Sequence, residues 1–141
     1  MKVIYCAHPL GHGVRRKANL EAARAWFGFF IQYFEVAVIA DWILVAGVWQ
    51  ETPRNRAAAM GINKNLVQRS DVVVLCGHKR SSGMRDEATW GRQHSAAAGP
   101  RPVVELPTMR LPPLLSDGRF VEIETMLGLA GIRRRIWTEV D

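Results

Sequence analysis

The run Val72-Val73-Val74-Leu75-Cys76, opened by Asp71 and closed by Gly77, is apolar at every position rather than at every second one. A strand with one face in water alternates. A strand that is apolar throughout is covered on both faces, as in the middle of a parallel sheet. Parallel neighbours need a crossover of a dozen or more residues between them, usually a helix. Val3-Ile4-Tyr5-Cys6-Ala7 has the same unbroken character and stops at His8-Pro9-Leu10-Gly11. Two such runs commit the chain to alternating strands and crossovers, and the predicted class is α/β.

The remaining segments fit that alternation. A helical pattern runs from about Ala18 to Phe34 after a basic hinge at Val14 to Lys17, and Val36 to Ala40 reads as the second strand, closing at Asp41. Ile43 to Thr52 is ambiguous between strand and loop. Pro53 takes the favoured first-turn position of a helix through Arg69. Asp71 to Cys76 is the third strand, Ser82 to about Ala98 the next helix, and Pro102 to Leu106 the fourth strand. Pro107 to Pro113 is a proline-punctuated loop, and Glu122 to Arg135 is a terminal helix whose basic end complements its dipole. Residues 1–141 read as a single domain with a Rossmann-like three-layer architecture and a mostly parallel sheet of about four or five strands.

Composition narrows the partners. The net charge is +6 and the isoelectric point near 10.0, which favours an anionic ligand. Arg15, Arg16, Lys17, Lys79 and Arg80 fall in the loops after strands one and three, the side of a parallel sheet where ligands bind. They point to a phosphorylated ligand, with a solvated surface as the plain alternative. Cys6 and Cys76 lie inside apolar runs and form no disulfide framework, which fits a reducing cytoplasm. The longest apolar stretch, Val36 to Trp49, is broken by Asp41 and Gly47 and is too short for a bilayer, so no membrane partner is expected. The aromatics concentrate in one helix, Trp26 to Phe34, away from the basic loops, so a nucleic-acid partner is not expected either. A helix apolar nearly all round is buried or packs on another subunit; in so small a domain the second predicts a homodimer.

The loop after the third strand carries the chemistry. Gly77-His78-Lys79-Arg80-Ser81-Ser82-Gly83 leads into a helix with Glu87 in its early turns. A strand end, a glycine-rich loop and a helix N-terminus place free N–H groups and one carboxylate at the sheet edge. The plain alternative for Glu87 is an acid complementing the helix dipole. Cys6-x-His8 and Cys76-x-His78, at the ends of neighbouring strands, offer a second chemistry, a tetrahedral zinc site, although this spacing is unusual.

Over residues 2 to 106 the chain resembles the nucleoside 2-deoxyribosyltransferase superfamily, including its deoxynucleotide N-glycosidase branch. Tyr5-Cys6-Ala7-His8-Pro9 stands where that family has Tyr-x-Ala-Gly-Pro, Asn19 matches an Asn early in the first helix, and Asp71 matches the acid opening the third strand. Ser81, Gly83 and Glu87 match its Ser-x-Gly-x-x-x-Glu signature. The resemblance implies N-glycosidic bond hydrolysis or (deoxy)ribosyl transfer on a nucleoside or nucleoside 5′-monophosphate, with Glu87 as nucleophile oriented by Tyr5. Ser81, Ser82 and Gly83 would hold the sugar 5′ hydroxyl or phosphate. Pro9, Gly11, Asn19, Asp41 and Asp71 complete the implied substrate contacts, Asp71 having backbone hydrogen bonding as its plain alternative. No cofactor and no metal are called for.

Two positions depart from the family. Asn63 stands where an acid protonates or positions the leaving base, and an amide binds a base without being a general acid at neutral pH. His8 replaces a glycine, so its side chain would project into the sugar site or substitute for the missing acid. The departures motivate a second expectation from another class: a non-catalytic nucleotide-binding or sequestering protein that keeps the pocket.

Overall fold

A computed structural model describes residues 1–93 and 99–136. Four strands, β1 (Lys2–Ala7), β2 (Val36–Ile39), β3 (Val72–Leu75) and β4 (Val103–Glu105), form one all-parallel sheet in the order β2-β1-β3-β4. The helices among the described residues are α1 (Val14–Tyr33), α2 (Trp42–Val48), α3 (Pro53–Arg69), α4 (Ser82–Arg92) and α5 (Gly118–Leu129). The chain moves from β1 outward to β2, returns across β1 to β3, then continues outward to β4. Right-handed crossovers in opposite directions put α1 on one face and α3 and α4 on the other. The result is a Rossmann-like three-layer α/β sandwich. Its strand order reverses between β1 and β3, and ligands bind at such a switch point, outside the carboxyl ends of the strands.

Both central strands are buried, β3 along its whole length, as the unbroken apolar runs require. On one face α4 lies directly on β3: a Cβ on Gly91 would come within 2.7 Å of Val73 Cγ2, so only glycine permits this approach. On the other, Trp26, Phe29, Phe30 and Phe34 are buried, with rings packed edge-to-face and tilted at centroid distances of 5.6 to 5.8 Å. Phe120 of α5 closes this cluster, contacting Phe29, Tyr33 and Phe34. The aromatic face expected to meet a second subunit is therefore covered from within the chain.

Three element boundaries differ from the sequence reading. Helix α1 starts at Val14, so Arg15, Arg16 and Lys17 form its first turn rather than a hinge. Cations there oppose the dipole, and Arg16 is held by Glu51 at 2.6 Å and by the Ala46 carbonyl. The ambiguous segment after Asp41 is helix α2. Helix α5 begins four residues early, with Asp117 capping the Arg119 N–H, and stops before Gly131, whose φ of 83° ends it. Arg133 to Arg135 thus leave the helix and run extended beside the end of α1, where Arg135 N–H meets Tyr33 O and Arg134 lies over the Phe120 ring. They do not complement a helix dipole. Residues 94–98, the expected end of the fourth-strand approach helix, lie outside the described residues.

Candidate active site

The carboxyl ends of β1 and β3 are held together by backbone. Cys76 N–H donates to Ala7 O at 3.0 Å, and Gly77 turns with φ 99°. A Cβ at Gly77 would fall 2.8 Å from both His8 and Pro9 atoms, so glycine is needed for this φ and for the close approach of the two loops. On the β2 side, the Trp42 indole N–H donates to Cys6 O at 2.9 Å and its ring lies nearly parallel to that of His8.

Above this floor is a cavity of about 340 Å³, within the range of small-molecule sites. Trp42, Val45, Ala46 and Trp49 make an apolar wall. Helix α3 contributes Asn55, Arg56, Met60 and Asn63. The loop after β1 contributes His8, Leu10, Gly11 and His12, and the opposite wall is Lys79, Ser81, Ser82, Gly83 and Glu87. Arg16 and Glu51 line it as an ion pair.

Helix α4 opens on this cavity. Ser81 is its cap: the Ser81 hydroxyl accepts the Met84 N–H at 3.3 Å. The N–H groups of Ser82 and Gly83 are among those no intrahelical carbonyl reaches. A Cβ on Gly83 would meet only Met60 Cε at 3.9 Å, so packing within the chain does not demand a glycine there. Glu87, one turn further, is 7% exposed. Burial pushes its carboxyl up to about 7, the Tyr5 hydroxyl pulls the other way, and the Asp86 charge adds to the rise. Tyr5 lies fully buried beneath, its hydroxyl raised above the ordinary phenol range by burial and then by the Glu87 charge. The two groups interact without hydrogen-bond geometry: Tyr5 Oη and Glu87 Oε2 each have no partner among the described residues.

His8 is buried and neutral. Its Nδ1 lies 2.7 Å from the Pro9 carbonyl, which can only accept, so Nδ1 carries the proton. Burial lowers the ring to about 4; the Pro9 carbonyl opposes this, and His78, Arg110 and Arg80 add to it. An imidazole held this way is a poor source of a proton at neutral pH, so it does not replace an acid at position 63.

The structure brings Glu87, Asn63, His8, Gly11, Ser81, Ser82 and Gly83 around one cavity and leaves the other expected contacts outside it. Asp71 is at the far end of β3, where its carboxylate accepts the Val3 N–H at 2.7 Å; it joins β1 to β3 and cannot reach a ligand at the carboxyl ends. Asn19 donates to Leu10 O at 2.8 Å and shapes the β1 loop. Asp41 is exposed and its main-chain carbonyl opens α2. Pro9 packs on Gly77. Among the basic residues, Arg80 is structural, its guanidinium bound to the Leu106 and Gly77 carbonyls, while Lys17 and Arg15 lie outside the lining. The zinc arrangement does not form: Cys6 and Cys76 sulfurs sit 3.6 Å apart in the core. Among the described residues no group of three His, Cys, Asp or Glu is placed to hold a metal ion. No helix among them is long and apolar enough to cross a membrane. The wall from α2 was missed in the sequence; the helical spacing of Trp42, Val45, Ala46 and Trp49 was its signal.

Residues 2–98 match a family described as a domain of unknown function (DUF7768). The chain belongs to this family. No curated protein and no solved structure matches it. The DUF7768 span carries every cavity-lining residue, from His8 to Glu87, and excludes β4 and α5.

Proposed function

We propose that this protein cleaves or transfers the N-glycosidic bond of a nucleoside or nucleoside 5′-monophosphate, with Glu87 as nucleophile. The observation that carries the reading is Glu87 itself: a nearly buried carboxyl in a ligand-sized cavity, one turn from the N–H groups of Ser82 and Gly83, with the Tyr5 hydroxyl beneath. In the ionised state Glu87 attacks C1′ of the sugar. The C1′–N bond breaks, its electron pair leaves on the base, and the base takes a proton from water. Water then hydrolyses the glycosyl ester, or a second base displaces the carboxylate. The phosphate sits on the α4 N-terminus, where Gly83 is not required by packing and leaves room. The base lies against Trp42 and Trp49, with the Asn63 amide in reach of its edge.

A panel of nucleosides and 5′-monophosphates, assayed by chromatography for free base, tests this. Base released by the wild type and abolished in folded Glu87→Gln is expected; full release from that variant would sink it. A second reading has its own support. Asn63 is an amide and His8 is held neutral, so no acid stands ready for the leaving base. A nucleotide-sequestering protein would bind tightly in calorimetry and release no base over hours. Activity gained by Asn63→Asp would favour an enzyme weakened at one step. The proposal places the protein in the cytoplasm and includes self-association, no longer through the aromatic helix; light scattering after size exclusion measures it.

A further inference from the structure

The edge of the cavity beside the phosphate end carries more positive charge than one phosphate needs. Three segments meet there. Met109 N–H donates to Gly77 O at 3.1 Å, and the Trp26 indole N–H to Arg110 O at 3.2 Å, which pins Arg110 beside the β3 loop. Arg80 bound to the Leu106 and Gly77 carbonyls fastens the same two loops. The β1 loop closes on them where Pro9 meets Gly77, and Arg15 follows it. The exposed cations Arg15, Lys79 and Arg110 thus share this edge with His78, whose ring is lowered by burial and then by the charges of Arg110, Lys79 and Arg15. Lys79 also lines the cavity.

Among the described residues, five arginines lie beside a carboxylate. Arg16 and Arg56 share Glu51, Arg80 meets Glu105, Arg133 meets Glu35 and Arg134 meets Glu124. Arg15, Lys79 and Arg110 have no ion pair among the described residues, and buried His78 Nδ1 has no hydrogen-bond partner. Like charges gathered on fixed loops repel, and an extended anion removes that repulsion.

We propose that this rim binds the outer phosphates of a ligand carrying a phosphate chain, so that the cavity takes nucleotides with two or more linked phosphates in preference to monophosphates. The inference rests on the nucleotide reading for the nucleoside end alone; the phosphate subsite stands on the rim itself. A phosphate chain running from Ser82 and Gly83 past Lys79 meets His78 and Arg110 in turn. Such a chain belongs either to a nucleoside di- or triphosphate or to a dinucleotide joined through pyrophosphate.

Calorimetry at constant ionic strength tests it on the full chain. The probes are the mono-, di- and triphosphates of adenosine, guanosine, cytidine and uridine, a dinucleotide pyrophosphate, and orthophosphate against tripolyphosphate. Affinity rising at least about tenfold from mono- to triphosphate in one base series is expected, with tripolyphosphate binding where orthophosphate does not. Arg110→Ser, at an exposed side chain, should level that ladder. Arg133→Ser removes the same charge at the opposite end and should leave it intact. A flat ladder in every series, or equal losses in the two variants, overturns the proposal. Tripolyphosphate bound through Arg110 with no nucleotide bound would uphold the rim and overturn the nucleotide reading. Binding of the dinucleotide above the diphosphate identifies the joined form, and the reverse order identifies the free nucleotide; each supports the phosphate-chain subsite.

Discussion

The two ends of the sheet are built on opposite terms. At the amino ends of the strands, polar groups meet partners within the chain. Asp71 accepts the Val3 N–H, Ser70 Oγ donates to Val67 O, and the Arg101 guanidinium donates to the Ser70, Gln68 and Gly99 carbonyls. Phe34, two residues before β2, and Phe120 stacked on it lie at the same end. At the carboxyl ends, Tyr5 Oη, His8 Nε2, His78 Nδ1 and Glu87 Oε2 are buried without a hydrogen-bond partner among the described residues. Leaving a buried polar atom unsatisfied costs about 1–3 kcal/mol. The difference shows which end holds the fold together and which is kept ready for something else.

The sharpest way to break this contrast is Glu87→Gln. Any base release should fall by about a thousandfold or more, while stability at pH 8 rises, because the charge that burial disfavours is gone. Chemical denaturation beside the chromatographic assay reads both. A loss of stability would place Glu87 among the groups that hold the fold. The mirror experiment is Phe120→Ala. It should cost about 3–5 kcal/mol by opening the aromatic cluster, with ligand affinity of the folded fraction unchanged in calorimetry.

Proton linkage separates the ends further. Glu87 ordinarily titrates at 4.5 and sits at about 7 in the fold. Between those values the folded chain keeps a proton that the unfolded chain has released, so this group lowers stability as pH rises through the window. His8 runs the other way: ordinarily 6.5 and about 4 when folded, it adds stability as pH rises from about 4 to 6.5. Each swing amounts to roughly 3 kcal/mol at most. From pH 4.5 to 6.5 the two oppose each other. Glu87→Gln should therefore uncover a steeper loss of stability on acidification than the wild type shows, and His8→Phe a gain. Any base release by an ionised Glu87 should rise through about pH 7. Smallest is Asp71→Ala, expected to cost about 1–3 kcal/mol and to leave ligand binding unchanged; a changed affinity would return Asp71 to the site.

The legibility of these features follows the length of their signals. Unbroken apolar runs announced β1 and β3, and with them the parallel sheet and the edge where Glu87 sits. Helix α2 stayed ambiguous because seven residues give barely two turns, and the exposed Leu44 and Val48 blur its apolar face. Asp71 matched a motif, yet its place at the start of β3 puts it on the wrong end of the sheet. The aromatic face of α1 was legible as needing cover, but Phe120 lies about 90 residues away, and nothing local pairs it with Phe29. His8 was legible as an intrusion. Its proton position depended on the Pro9 carbonyl, which only the folded loop reveals.

That separation between Phe29 and Phe120 has a consequence for how the protein is made. A ribosome adds about 5–20 residues each second. The rings of α1 are therefore synthesised roughly 5–20 seconds before the helix that shields them. For that interval the nascent chain carries an uncovered oily seam while the rest of the sheet is still being made. Chaperone dependence and aggregation during expression should be governed by α5, the last helix described, rather than by the cavity.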